Sequence, residues 1–92
     1  MAFKTGWLRR GTIYSDEGFS VAAEDRSHLS YRSGKKKMTI AGELLSRGGF
    51  AGYLTNLATW DDGTPVPRSE QEQIANNIKW AFASQGREVS FE

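Results

Sequence analysis

An α+β fold is what this 92-residue sequence predicts: a small, twisted, mainly antiparallel sheet with one C-terminal helix packed on one face, followed by a final strand. Three observations carry that expectation. Short runs of period-2 alternation, separated by polar turns, fill the first half of the chain. One helical stripe, formed by Ile74, Ala75, Ile78, Ala81 and Phe82, occupies the second half. Glycines and prolines punctuate the boundaries between the runs.

Thr12-Ile13-Tyr14 opens the meander and Ser15-Asp16-Glu17-Gly18 reverses it. Phe19, Val21 and Ala23 then alternate with Ser20, Ala22 and Glu24, the pattern of a half-buried strand. Asp25-Arg26-Ser27 breaks that strand. Leu29 and Tyr31 alternate with Ser30 and Arg32, and Ser33-Gly34-Lys35 turns the chain again. Met38 and Ile40 face one way, Lys37 and Thr39 the other. Gly48-Gly49 feeds a further strand in which Phe50 and Leu54 share a face with Gly52, the mark of a bulge or a close backbone approach.

Asp61 to Arg68 is an irregular connection, because Pro65 and Pro67 lack amide donors and push Thr64 and Val66 toward extended conformations. The helix follows, over about residues 70–85. Ser69 and Glu72 have the spacing of a capping box, and Gly86 suits the left-handed residue that ends many helices. On that reading Ser69→Ala costs about 1 kcal/mol. Burying Ile74, Ile78 and Phe82 contributes roughly 1.5–3 kcal/mol each before entropic costs. Val89 and Phe91 alternate with Glu88 and Ser90, so a last strand rejoins the sheet.

Ninety-two residues make a single domain with one small core. Hydrophobic residues at 38% and charged residues at 25% describe a globular chain, and a net charge of +1 gives no bulk preference for a polyanion. No cysteine is present, which excludes disulfides, thiolate metal sites and cysteine nucleophiles. The first residues lack a continuous apolar run, and no later run has membrane-spanning length, so a cytoplasmic address is expected.

The candidates for chemistry are few. His28 is the only histidine, and without a second ligand at usable spacing no metal and no cofactor are expected. Adjacent Asp61 and Asp62 point to opposite sides of an extended chain, which suits turn chemistry better than a shared proton. Ser46-Arg47-Gly48-Gly49 has neither the lysine nor the spacing of a phosphate cradle, and no nucleophile elbow is present, so no enzyme is expected. Arg32, Lys35, Lys36 and Lys37 form the densest basic cluster and Arg9-Arg10 a second. In a strand Lys36 and Lys37 point to opposite faces, which splits the patch.

Trp80 falls on the polar side of the helix, about 160° from the middle of the apolar stripe. Either it anchors a partner, or an N-terminal residue such as Phe3 or Trp7 folds over it. Trp60 likewise plugs the rim of the core beneath the Pro-x-Pro loop or projects with Asp61 and Asp62.

The order Leu29-Ser30-Tyr31-Arg32, Met38-Thr39-Ile40-Ala41-Gly42-Glu43-Leu44-Leu45, Gly49-Phe50-Ala51-Gly52-Tyr53 and Leu57-Ala58-Thr59-Trp60-Asp61 then leads into the acidic, proline-bearing loop, the helix and the strand from Arg87 to Phe91. In this order residues 29–92 resemble the immunity protein 74 family of bacterial polymorphic toxin systems. The resemblance implies a small α+β domain that binds and neutralises a protein toxin. Residues 1–28 are additional strands outside it, and the near-neutral charge departs from the acidic surface that suits a nuclease toxin. The expected function is a non-enzymatic protein-binding domain with a partner surface at Trp60, Asp61, Asp62 and Trp80. The alternatives are a small nucleic-acid-binding domain using Arg32, Lys35, Lys36 and Lys37, or a structural, oligomerising domain.

Overall fold

The computed structural model describes residues 2–5, 12–46 and 48–92. Among the described residues seven strands form one sheet in chain order: β1 (Phe3–Thr5), β2 (Thr12–Ser15), β3 (Phe19–Asp25), β4 (His28–Ser33), β5 (Lys36–Leu44), β6 (Phe50–Gly52) and β7 (Val89–Phe91). Consecutive strands from β1 to β6 run antiparallel, which is the expected meander. β7 joins β6 in parallel. A parallel neighbour requires a crossover of a dozen or more residues. Here the crossover contains a 3₁₀ turn (Leu54–Leu57) and the helix α1 (Arg68–Ala83), and it lays α1 against β7, the 3₁₀ turn and β2. No described helix is long and apolar enough to cross a membrane.

Register explains the core. Ile13 pairs with Val21, Val21 with Tyr31 and Tyr31 with Met38, so one row of side chains crosses four strands on the helix side. Ile74, Ala75, Ile78, Ala81 and Phe82 close over that row, all buried. The alternation departs from expectation at Ala23, which is exposed while Ala22 is buried. Ala23 is the last residue in regular register before the strand shifts toward Asp25, and Ala22 is flanked on the far face by Thr12 and Ser30, both buried. Ser30 is also buried on the far face, where it pairs with Ala22 on one side and Thr39 on the other.

Two boundaries differ from the sequence reading. Leu54 begins a 3₁₀ turn instead of ending a strand, because the chain must leave the sheet after Gly52 to reach the crossover. The helix starts at Arg68, with Pro67 as its N-cap (φ −59°, ψ 153°), and no side chain caps it. The Ser69–Glu72 box therefore does not form. Pro67 already has the φ a helix entry needs, and its carbonyl accepts the Gln71 N–H at 2.9 Å, which places Ser69 inside the first turn. The other end is as expected. Gly86 has φ +71°, its N–H reaches the Ala83 carbonyl at 3.0 Å, and the Arg87 N–H reaches that of Phe82 at 3.0 Å. This pair of bonds is the Schellman arrangement.

The close backbone approach lies between Gly42 and Gly52, which are register partners. A Cβ on Gly42 would run into the Phe50 ring and lie 2.6 Å from the Ala51 carbonyl oxygen. Phe50 is fully buried and cannot withdraw. Gly42→Ala is expected to destabilise the protein by about 1–3 kcal/mol through overpacking, read as a lower midpoint in a urea melt. Ser69→Ala, by contrast, should move that midpoint by less than about 0.5 kcal/mol, as a substitution that removes no cap.

Candidate partner-binding surfaces

The loop after the 3₁₀ turn is a small hairpin clamped to β5. The Trp60 N–H donates to the Thr64 carbonyl at 2.9 Å, and the Gly63 N–H donates to the Trp60 carbonyl at 2.9 Å. The Val66 N–H then donates to Ala58 at 2.8 Å, and Thr59 bridges Pro65. Asp61 does the clamping. Its N–H donates to the Lys37 carbonyl at 2.8 Å, while its carboxylate accepts the Thr39 N–H at 2.8 Å and the Thr39 hydroxyl at 2.7 Å. A carboxylate that accepts a strand amide replaces a neighbouring strand at that point.

Asp62 holds the turn. Its carboxylate accepts the Thr64 N–H at 2.9 Å and the Thr64 hydroxyl at 2.6 Å, and the Lys36 ammonium donates to it at 2.6 Å. Lys36 also donates to the Thr64 hydroxyl oxygen at 2.9 Å. The Lys36 ammonium, followed by the Thr64 donors, holds the Asp62 carboxyl far below the usual carboxylate range. Both partners stay solvent-exposed, so the pair positions the loop more than it stabilises the fold.

Trp60 is a core residue, 8% exposed, where the sequence left open whether it plugs the core or projects. Its ring stacks on Tyr31 with centroids 6.2 Å apart, and Tyr31 stacks in turn on Phe19 at 5.6 Å. The Tyr31 hydroxyl accepts from the Asn77 amide at 3.0 Å, and Gln73 donates to the Asn77 carbonyl oxygen at 3.0 Å. Burial raises the Tyr31 phenol above its ordinary value, with the Asn77 bond opposing. Asn77, which the sequence places among polar positions, is thus a buried helix residue tied to the sheet. Only its neighbour across the fold makes that visible.

Trp80 is 48% exposed, and its ring stacks on no other described aromatic. Phe3, one candidate lid, instead packs edge-on against Phe19 at 6.1 Å. Trp7, the other candidate, and the Arg9-Arg10 pair lie outside the described residues. Among the described residues, no hydrogen bond or ring contact joins the hairpin to Trp80.

The basic cluster is divided. Arg32 and Lys37 are register partners across β4 and β5, Lys35 sits in the turn, and Lys36 is committed to Asp62. His28 is held by its hairpin: Nδ1 lies 2.8 Å from Asp25 Oδ1, and the Ser27 N–H donates to the same oxygen at 2.8 Å. That backbone bond, and then His28, lowers the Asp25 carboxyl below its ordinary value. Among the described residues no three His, Asp or Glu side chains gather to hold a metal ion.

No protein-family model, no curated protein and no solved structure matches the chain.

The depressed Asp62 carboxyl gives a pH dependence with a definite sign. A group titrating lower in the folded than in the unfolded chain contributes stability above its unfolded value, near pH 4, and that contribution is lost as pH falls toward its folded value. Acidification from about pH 4 to 2 should therefore lower the denaturation midpoint more steeply in the wild type than in Asp62→Asn. Added salt should narrow the gap between the two near neutral pH.

Proposed function

We propose that this chain is a non-enzymatic protein-binding domain, an immunity protein that occludes a bacterial toxin through the exposed side of α1. The observation that carries the reading is Trp80. It stands half in water on a helix whose opposite face is fully packed. Folding does not require a large aromatic there, and an exposed indole is the kind of side chain that dominates interface energetics. The resemblance of residues 29–92 to the immunity protein 74 family supplies the class of partner. Asp62, exposed beside Lys36, belongs to a separate surface and would influence the rate of association. Asp61 is spent on Thr39 and contributes through the shape of the hairpin.

The test is a paired measurement on the product of the adjacent gene. Trp80→Ala should weaken its binding by about 2 kcal/mol, roughly thirtyfold, while changing the stability of the free protein by less than about 1 kcal/mol. Normal binding combined with a loss of several kcal/mol in a urea melt would place Trp80 in the core and remove the support for this surface.

A further inference from the structure

The sheet ends at β7, and one edge of β7 is open. The Glu88 carbonyl accepts the Phe50 N–H at 2.9 Å, the Glu92 N–H donates to Gly52 at 3.0 Å, and the Glu92 carbonyl accepts the Leu54 N–H at 2.8 Å. Alternate residues of a strand direct their backbone groups to the same side. Residues 88, 90 and 92 therefore face β6, and the N–H and C=O of Val89 and Phe91 face away from it. Among the described residues no strand lies there and no group bonds them. This contrasts with β5, where Asp61 and the Asn56 side chain occupy the Lys37 carbonyl, the Thr39 N–H and the Ala41 carbonyl, outward-facing groups that β6 does not reach.

A trough runs along this edge, between β7 and one flank of α1. A cavity of about 350 Å³ lies at one end, with Leu45, Ala83 and Val89 in its walls. Another of about 470 Å³ lies at the other end, with Asn76 and Phe91 in its walls. Lys79 lines both and so marks the middle of the trough.

We infer that this trough accepts an extended segment of a partner protein as an additional strand on β7, with acidic and apolar side chains turned toward α1 and basic ones turned away. Strand addition to an exposed edge draws affinity from backbone bonds and specificity from alternate side chains. The charges set the alternation. Lys79 and Arg87 line the trough and their side chains make no described hydrogen bond or ion pair, whereas Arg68 and Glu72, which line it too, pair with each other at 3.6 Å; Leu45 is 44% exposed. Val89 and Phe91 turn their side chains to the core, so by alternation those of Glu88, Ser90 and Glu92, residues that also border the cavities, point to the other face, all exposed. A second copy of this chain fits less well. The antiparallel register that sets Val89 of one copy opposite Phe91 of the other also sets Glu88 opposite Glu92, and like charges directly opposite are destabilising.

The inference goes beyond the immunity reading and does not rest on it, because Trp80 lines neither cavity. The probe is a synthetic, end-blocked nonapeptide in which lysine alternates with valine and glutamate, titrated into the isotopically labelled full chain. Amide shifts should centre on Val89, Phe91 and Leu45, and exchange of the Val89 and Phe91 amides should slow. N-methylating the peptide amides on one edge should weaken binding about two- to tenfold per bond lost. Lys79→Glu should weaken it by a similar factor, and a peptide with lysine in place of glutamate should recover the loss. Trp80→Ala should bind the peptide as the wild type does, which keeps this result separate from the toxin measurement. Three outcomes would overturn the inference: no shifts at millimolar peptide, equal shifts with a scrambled peptide, or shifts at Val89 and Phe91 that grow with protein concentration alone.

Discussion

The outer edge of β5 is the constraint on which the C-terminal half of the fold depends. Its even-numbered residues turn toward β4's side, as the Gly42 and Leu44 amides show by bonding Ser27 and Arg26 at 2.9 Å. Its odd-numbered residues point the other way and need partners of their own. Three different devices supply them along nine residues. Asp61 meets Lys37 and Thr39, the Asn56 side chain donates to the Ala41 carbonyl at 2.7 Å, and β6 meets Glu43 through Ala51. The crossover is thereby pinned to the sheet twice before α1 begins. Those two attachments bring Leu57, Trp60 and Val66 into the core from a segment with no regular strand of its own.

The second organising contact runs through Tyr31. It sits in the row of inward residues that crosses β2 to β5, is sandwiched between Phe19 and Trp60, and bonds Asn77 on the helix. A buried hydroxyl without a partner costs about 1–3 kcal/mol, so Asn77 must occupy that point on α1 and the helix cannot slide along the sheet. The apolar stripe alone would tolerate a shift, since packing among Ile, Ala and Phe is not directional. The polar bond fixes the helix in one position. It also fixes which side of α1 meets water, and hence where Trp80 and Lys79 stand.

What the sequence disclosed was local. Alternation in β3, β4 and β5, the Gly86 stop and the apolar stripe of α1 arise from periodicity within a few residues. What it withheld was settled by residues far away in the chain. Asp61 reaches Thr39 across 22 positions, and Asn77 reaches Tyr31 across 46. The Ser69–Glu72 spacing is a genuine capping signal that Pro67 forestalls by starting the helix earlier. Trp60 illustrates the same limit. The sequence allowed either a core plug or a projecting aromatic, and only the Asp61 clamp, which pulls the hairpin onto β5, buries it. Trp80 was legible because it violates the helix's own pattern, a conflict visible without any tertiary contact.

The open edge of β7 belongs to the same physics as the closed edge of β5. An unpaired edge invites association with any extended chain, and natural sheets usually cover it, shorten it or charge it. This chain covers β5 fully enough to spend two side chains on single backbone groups. At β7 it adopts the milder remedies: three residues only, flanked by Glu88 and Glu92. Those carboxylates discourage pairing with a like-charged edge, including that of a second copy, while leaving the backbone groups of Val89 and Phe91 available. A strand that is short, charged on one face and bordered by Lys79 on the other discriminates among incoming segments by sign and by alternation. Selectivity of that kind arises from what the edge repels as much as from what it binds.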